Sequence, residues 1–264
     1  VNTVSADGKV TKLAVEATGT NYLALASGAT GVAQNAGVTT LTVTGSGTLD
    51  LDNTSTLDNG GSTLTADLTT VNASANSGGL TIELSNKDVA VTGGSGADVV
   101  TLSNGTALTD KAAVNLGAGA DKLLNSGSAG VGTSAVIDGG DGKDTIASTL
   151  LQVGNQANIK NWEILDVAGE NRTIDASLFK SSAFESVAIS GALGGAVVLQ
   201  KLAGTSINVD VAASTGANTL TAELATNSGN ADTANINFDA KSTGFTVNSF
   251  TSTGLETVTI NSNG

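Results

Sequence analysis

The sequence contains no cysteine, histidine, methionine or proline. Without cysteine there is no disulfide framework, and without cysteine or histidine an ordinary structural zinc has no ligand set. The same two absences remove thiol nucleophiles and imidazole acid–base chemistry. Aromatic residues make up only 3% of the chain, with Trp162 the single tryptophan, Tyr22 the single tyrosine and Arg172 the single arginine. A lyase on a β-helix needs basic and aromatic residues beside carboxylates in a groove, and this chain supplies few of either. The expectation is that it is not an enzyme. No apolar run approaches the roughly 18 residues of a membrane span, so no membrane insertion is expected. The opening "VNTVSADGKV" shows no basic region followed by an apolar stretch, so no secretory signal peptide is visible in it. A start without methionine and an abrupt stop at "TINSNG" read as a fragment or a processed piece of something longer.

Basic charge is also scarce. Twenty-four acidic residues against 11 basic ones give a net charge of −13. Such a surface repels phosphate backbones, and no basic cluster offsets it, so nucleic acid is excluded as a partner. Divalent cations are the natural partners of an acidic chain this rich in glycine, because their charge offsets self-repulsion.

What is present is Val, Leu, Ile and Ala interleaved with Thr, Ser, Asn and 34 glycines. Thr and Val favour strands, and Gly and Asn favour turns with positive φ, so many short strands are expected. The segments "TTLTVTG", "LTIELS", "WEILDVAG", "SINVDV", "NTLTAEL" and "LETVTIN" each alternate over four to seven residues. Helix is scarce; "TDKAAVNL" and "ASLFKSSAF" are the best short candidates, and "KLAVEATGTNYLALAS" reads as strand or as a docking helix.

The middle of the chain repeats. "VTGGSGADVV" begins at Val91, "VNLGAGADKLL" at Val114 and "VIDGGDGKDTI" at Val136. Asp98, Asp121 and Asp144 fall at one fixed interval, and so do Val91, Val114 and Ile137, and Val100, Leu123 and Ile146. Each unit reads as strand, glycine turn, strand and polar stretch, with no core of its own. Stacking such units buries their apolar columns against one another and builds a solenoid of parallel strands. Four segments follow: residues 1–36 as an N-terminal segment or cap, 37–90 as irregular solenoid, 91–150 as the repeat coils, and 151–264 as continuing solenoid or a separate subdomain.

The shared pattern is Gly-Gly-x-Gly-x-Asp-x-apolar. Gly93, Gly94, Gly96 and Asp98 fill it, as do Gly139, Gly140, Gly142 and Asp144; the middle copy has Leu116 first, then Gly117, Gly119 and Asp121. Glycines allow bends that turn carbonyls toward one point, and aspartate adds a charged oxygen, which together are calcium ligands. Asp138 and Asp141 in the third turn are extra ligands or solvated charges. Stacked carboxylates about 4.8 Å apart repel by about 3.5 kcal/mol at an effective dielectric near 20, which a cation between them relieves. The alternative is simple sheet punctuation, with aspartate placed there because it favours turns.

These turns resemble the nonapeptide of the RTX (repeats-in-toxin) family, over about 60 residues from Val91 to Thr149. The resemblance implies an all-β, right-handed parallel β-solenoid with calcium (Ca2+) held by the glycine–aspartate turns, and export by type I secretion. One nonapeptide per coil, where typical β-rolls carry two, implies calcium along one side only. The flanking "LTTVNASANSGGLTIELS" and "LETVTINSNG" are similar to RTX-type bacterial surface-layer (S-layer) proteins. That likeness implies a secreted, extracellular structural protein of the bacterial cell surface, self-assembling with copies of itself and reaching cell-surface polysaccharide. An RTX adhesin or biofilm-matrix binding module is the alternative, and the non-catalytic domain of a secreted enzyme a third.

Other motifs fall away. Asp50 and Asp52 resemble half an EF-hand but lack its central glycine and terminal glutamate. No turn forms Gly-x-Gly-x-x-Gly or precedes Gly-Lys-Ser/Thr, so nucleotide binding has no support. Trp162 alternates with Ile164 and is expected in the core in preference to a sugar platform. Asn53, Asn72, Asn104 and Asn171 match the glycosylation sequon, as this composition produces by chance.

Overall fold

The structure is a computed structural model, and it describes residues 2–3, 10–24, 38–51, 67–103, 105–127, 130–213, 217–226, 231–238 and 249–262. Asp52 and the sequon residues Asn53 and Asn104 lie outside the described residues. The fold is all-β, built from long parallel sheets without a closed barrel, a β-solenoid-like arrangement. The chain divides into two compact units, Val1–Asp144 and Thr145–Gly264.

In the first unit two parallel sheets share every coil. One contains Lys12–Glu16, Thr40–Gly45, Thr70–Asn76, Ala90–Thr92, Ala113–Asn115 and Val136–Asp138, each paired with the next. The other contains Asn2–Thr3, Thr20–Ala24, Thr48–Asp50, Leu80–Leu84, Val99–Leu102 and Lys122–Asn125. The chain runs along a strand of the first sheet, bends through a glycine turn, and enters the second. Strand residues alternate between interior and solvent, which is why Val, Leu and Ile recur at every second position. Leu41, Val71, Val91, Val114 and Ile137 form one interior column, each the Cα partner of the next, and all are buried. Ile82, Val100 and Leu123 form a second.

In the second unit the principal sheet holds Thr145–Ala147, Ile164–Asp166, Ser186–Ile189, Ser206–Val211, Thr233–Phe238 and Thr257–Ser262. Its interior column runs Ile146, Leu165, Val187, Val209 and Ile236, and the exposed Ile260 continues it on the last strand. A second sheet stacks Thr173–Asp175, Val197–Leu202, Thr219–Leu224 and Ser249–Thr251. Trp162 is fully buried, so the core reading stands and no sugar platform exists at that residue.

Both helix candidates are otherwise. Ala113–Asn115, inside "TDKAAVNL", is a strand, because Val114 is needed between Val91 and Ile137 in the interior column; tertiary pairing overrides local propensity. In "ASLFKSSAF" only Ala176–Leu178 winds, as a single 3-10 turn capped by the Asp175 side chain, which accepts from the Ser177 N–H. The N-terminal stretch forms strands Lys12–Glu16 and Thr20–Ala24.

The repeat turns stack directly on one another. Ala118 N–H donates to Gly94 O at 2.9 Å and Asp141 N–H to Gly117 O at 2.8 Å, and Ala118–Gly119 pairs in parallel with Asp141–Gly142. A Cβ on Gly117 would lie 2.2 Å from Gly94 O, whereas one on Gly105 would meet nothing within 4 Å. Both glycines have positive φ, +91° and +82°, so the cost of placing alanine in that region is shared. Gly117→Ala should therefore destabilise the protein by about 2 kcal/mol more than Gly105→Ala, the excess being the backbone clash alone. Urea unfolding of the two variants measures it, and equal losses would show that turn contact does not require the glycine.

Candidate metal centre

The flush turns bring the predicted residues into columns. Gly94, Gly117 and Gly140 follow one another, with a Cβ on Gly140 reaching 1.9 Å from Gly117 O. Gly96, Gly119 and Gly142 form a parallel column, with Gly96 O and Gly119 O close beneath the next turn. Gly93 and Gly139 flank Leu116 in the remaining column; Gly93 N–H donates to Asn115 O at 2.7 Å. The backbone carbonyls of the turns are thus gathered along one edge of the coils.

The aspartates lie inward of these turns. Asp98, Asp121 and Asp144 are 1%, 0% and 0% exposed. Asp121 Oδ1 accepts from the Asp98 N–H at 2.7 Å, and Asp144 Oδ1 accepts from the Asp121 N–H at 2.8 Å, each across 23 residues. Asp98 Oδ1 accepts from Leu80 N–H at 2.6 Å, and its Oδ2 from Gly94 N–H at 2.8 Å. Every carboxylate therefore reaches back to a backbone amide, building a ladder of like charges. Asp121 Oδ2 is buried and has no hydrogen-bond partner. An ionised oxygen in that position costs several kcal/mol unless a proton or a cation neutralises it.

The electrostatics follow from this burial. Desolvation pushes the Asp121 carboxyl from its ordinary 3.8 up to about 7; the charges of Asp98 and Asp144 push the same way, against the Asp98 N–H bond. Desolvation also raises Asp98, opposed by the amides of Gly94 and Leu80. It raises Asp144 too, with Asp138 and Asp141 adding to the rise and the Asp121 N–H opposing it. Asp138 and Asp141 are not members of the ladder. Asp138 Oδ1 accepts from Gly140 N–H at 3.1 Å, as Asn115 Oδ1 accepts from Gly117 N–H at 3.0 Å, so it braces its own turn. Asp141 is exposed.

The structure adds residues that the repeat did not reveal. Asn76 is buried one turn before Asp98; its Nδ2 donates to Gly45 O at 3.2 Å and Gly47 O at 2.9 Å, while Oδ1 accepts from Gly79 N–H at 2.8 Å. A neutral amide donates to the carbonyls of the earlier turn, which a carboxylate cannot do. The segment "NSGGL" was the available signal, an asparagine set before two glycines. In the second unit Arg172 Nη2 donates to the carbonyls of Ser148, at 2.7 Å, and Leu151, and its Nε pairs with buried Glu170 at 3.2 Å. The only arginine thus fastens loop carbonyls.

Among the described residues no group of three or more Asp or Glu side chains is placed to hold a metal ion. A cation at the ladder would draw on neighbouring carboxylates and turn carbonyls, an all-oxygen set that suits a hard divalent ion. No family model, no curated protein and no solved structure matches the chain.

The raised Asp121 value has a testable sign. Between the unfolded value of 3.8 and the folded value of about 7, the folded chain binds more protons than the unfolded one. Its cation-free stability therefore falls as pH rises through that window. In chelator, the melting temperature should drop from about pH 4 to about pH 8, and Asp121→Asn should flatten that slope. A wild-type slope unchanged in the variant would show that Asp121 does not carry it.

Proposed function

We propose that this chain is a structural module of a secreted bacterial surface layer: a right-handed β-solenoid whose carboxylate ladder takes up calcium and whose coils associate with further copies. The observation that carries the reading is the buried column Asp98–Asp121–Asp144, with Asp121 Oδ2 lacking any donor. Adjacent rungs, Asp98 with Asp121 or Asp121 with Asp144, would hold an ion together with carbonyls of the turns at Gly93–Gly96, Gly117–Gly119 and Gly139–Gly142. Calcium supplies charge neutralisation there, replacing the proton that burial otherwise demands. At a concentration about 100 times its dissociation constant, each bound ion adds about 2.7 kcal/mol to stability.

Two further features support assembly over catalysis. The chain lacks histidine and cysteine and carries a net charge of −13, which suits a cation-dependent scaffold. On the strand Thr257–Ser262, Val258 and Ile260 continue the interior columns of Ala234 and Ile236, yet are 53% and 65% exposed. A further coil stacked on that edge, from a second copy or from more of the same chain, would extend both the hydrogen bonding and the apolar columns.

Calcium titration followed by circular dichroism and electron microscopy tests the reading. Ordered sheets should form at millimolar calcium and dissolve with chelator. Asp121→Asn should weaken calcium binding by about tenfold or more, with Asp50→Asn unchanged as the control. Folding and association that do not respond to calcium would reject the proposal, and a chain that stays monomeric while binding a surface ligand would point to an adhesin.

A further inference from the structure

The second unit contains a carboxylate pair that no glycine–aspartate turn supplies. Asp232 immediately precedes strand Thr233–Phe238, and Glu256 immediately precedes Thr257–Ser262. The two strands pair in register with Thr233 opposite Thr257, so the acids follow one another in adjacent coils. Glu256 Oε2 accepts from the Asp232 N–H at 2.7 Å across 24 residues. In return the Glu256 N–H donates to Asp232 O at 2.9 Å. The Asp121 carboxylate bears the same relation to Asp98, although "NADTANI" and "LETVTI" share no nonapeptide with the repeat.

Asp232 is 3% exposed, and its Oδ2 is buried with no hydrogen-bond partner. Among the described residues, the ion pairs Arg172 with Glu170 and Lys201 with Asp175 do not involve Asp232. A buried carboxylate oxygen without a donor calls for a proton or a cation. A second carboxylate one coil away, reachable from solvent because Glu256 is exposed, adds hard oxygens and negative charge at the same place. That combination selects a divalent cation bound by oxygen.

We propose that Asp232 and Glu256 form a calcium site in the second unit, separate from the glycine–aspartate ladder. It goes beyond the ladder reading and survives that reading's failure. Calcium chloride titrated calorimetrically into the metal-free protein tests it. The parent should lose one bound ion per chain in Asp232→Asn and again in Glu256→Gln, the latter an exposed substitution that leaves the interior intact. A triple variant, Asp98→Asn with Asp121→Asn and Asp144→Asn, should keep that ion, and adding Asp232→Asn should abolish it. Calcium-free circular dichroism checks that each variant folds. Stoichiometry and affinity unchanged in both Asp232→Asn and Glu256→Gln would overturn the site. So would a triple variant whose melting temperature does not respond to calcium. Loss of binding in the triple variant with none in the Asp232 or Glu256 variants would place all binding at the ladder instead.

Discussion

Parallel, in-register stacking sets like residue upon like, and every other property of this protein depends on that constraint. Strands about 4.8 Å apart repeat one chemistry from coil to coil. For apolar side chains the repetition is favourable, since Leu41, Val71, Val91, Val114 and Ile137 bury one another without gaps in kind. For amides it is also favourable, because each is donor and acceptor at once. Asn237 donates to Asp210 at 2.9 Å, and Asn261 donates to Asn237 at 2.8 Å. For carboxylates it is not, because an ionised rung accepts only.

The aspartate ladder is a partial solution to that problem. Each carboxylate turns one oxygen to the amide of the previous rung, so backbone N–H groups take the place of the missing donors. One N–H serves one oxygen. At Asp121 the second oxygen has nothing to accept from, and burial lifts the carboxyl to about 7. The glycines make this environment, because turns without Cβ atoms pack backbone against backbone and close water out of the ladder. Burial and charge are thus two consequences of one packing arrangement. In the second unit, register alone, without the glycines, sets the Glu256 carboxylate on the Asp232 amide.

Much of the first unit was legible in the residues. The fixed spacing of Asp98, Asp121 and Asp144 implied coils in register, and the pairing of Val91 with Val114 and of Val114 with Ile137 has that spacing. Trp162 was expected in the core and is buried there, although Leu165, not Ile164, takes the interior position of the following strand. Other features were not legible. "TDKAAVNL" has helical composition, and only the neighbouring coils hold Ala113–Asn115 extended. For Asn76 the sequence offered only an asparagine before two glycines, since its role depends on Gly45 and Gly47, 31 and 29 residues earlier. Asp232 and Glu256 stayed hidden because coil length varies in the second unit, so no constant interval links them to other acids.

The sequence by itself determined the strand-rich class, the repeat interval and the exclusion of thiol and imidazole chemistry, because alternation, spacing and composition are local quantities. Tertiary structure decided which carboxylates are buried, which amides they accept from and which oxygen is left without a donor. Those outcomes depend on the coil above and the coil below, and a residue's own neighbours in the chain do not specify what is stacked upon it.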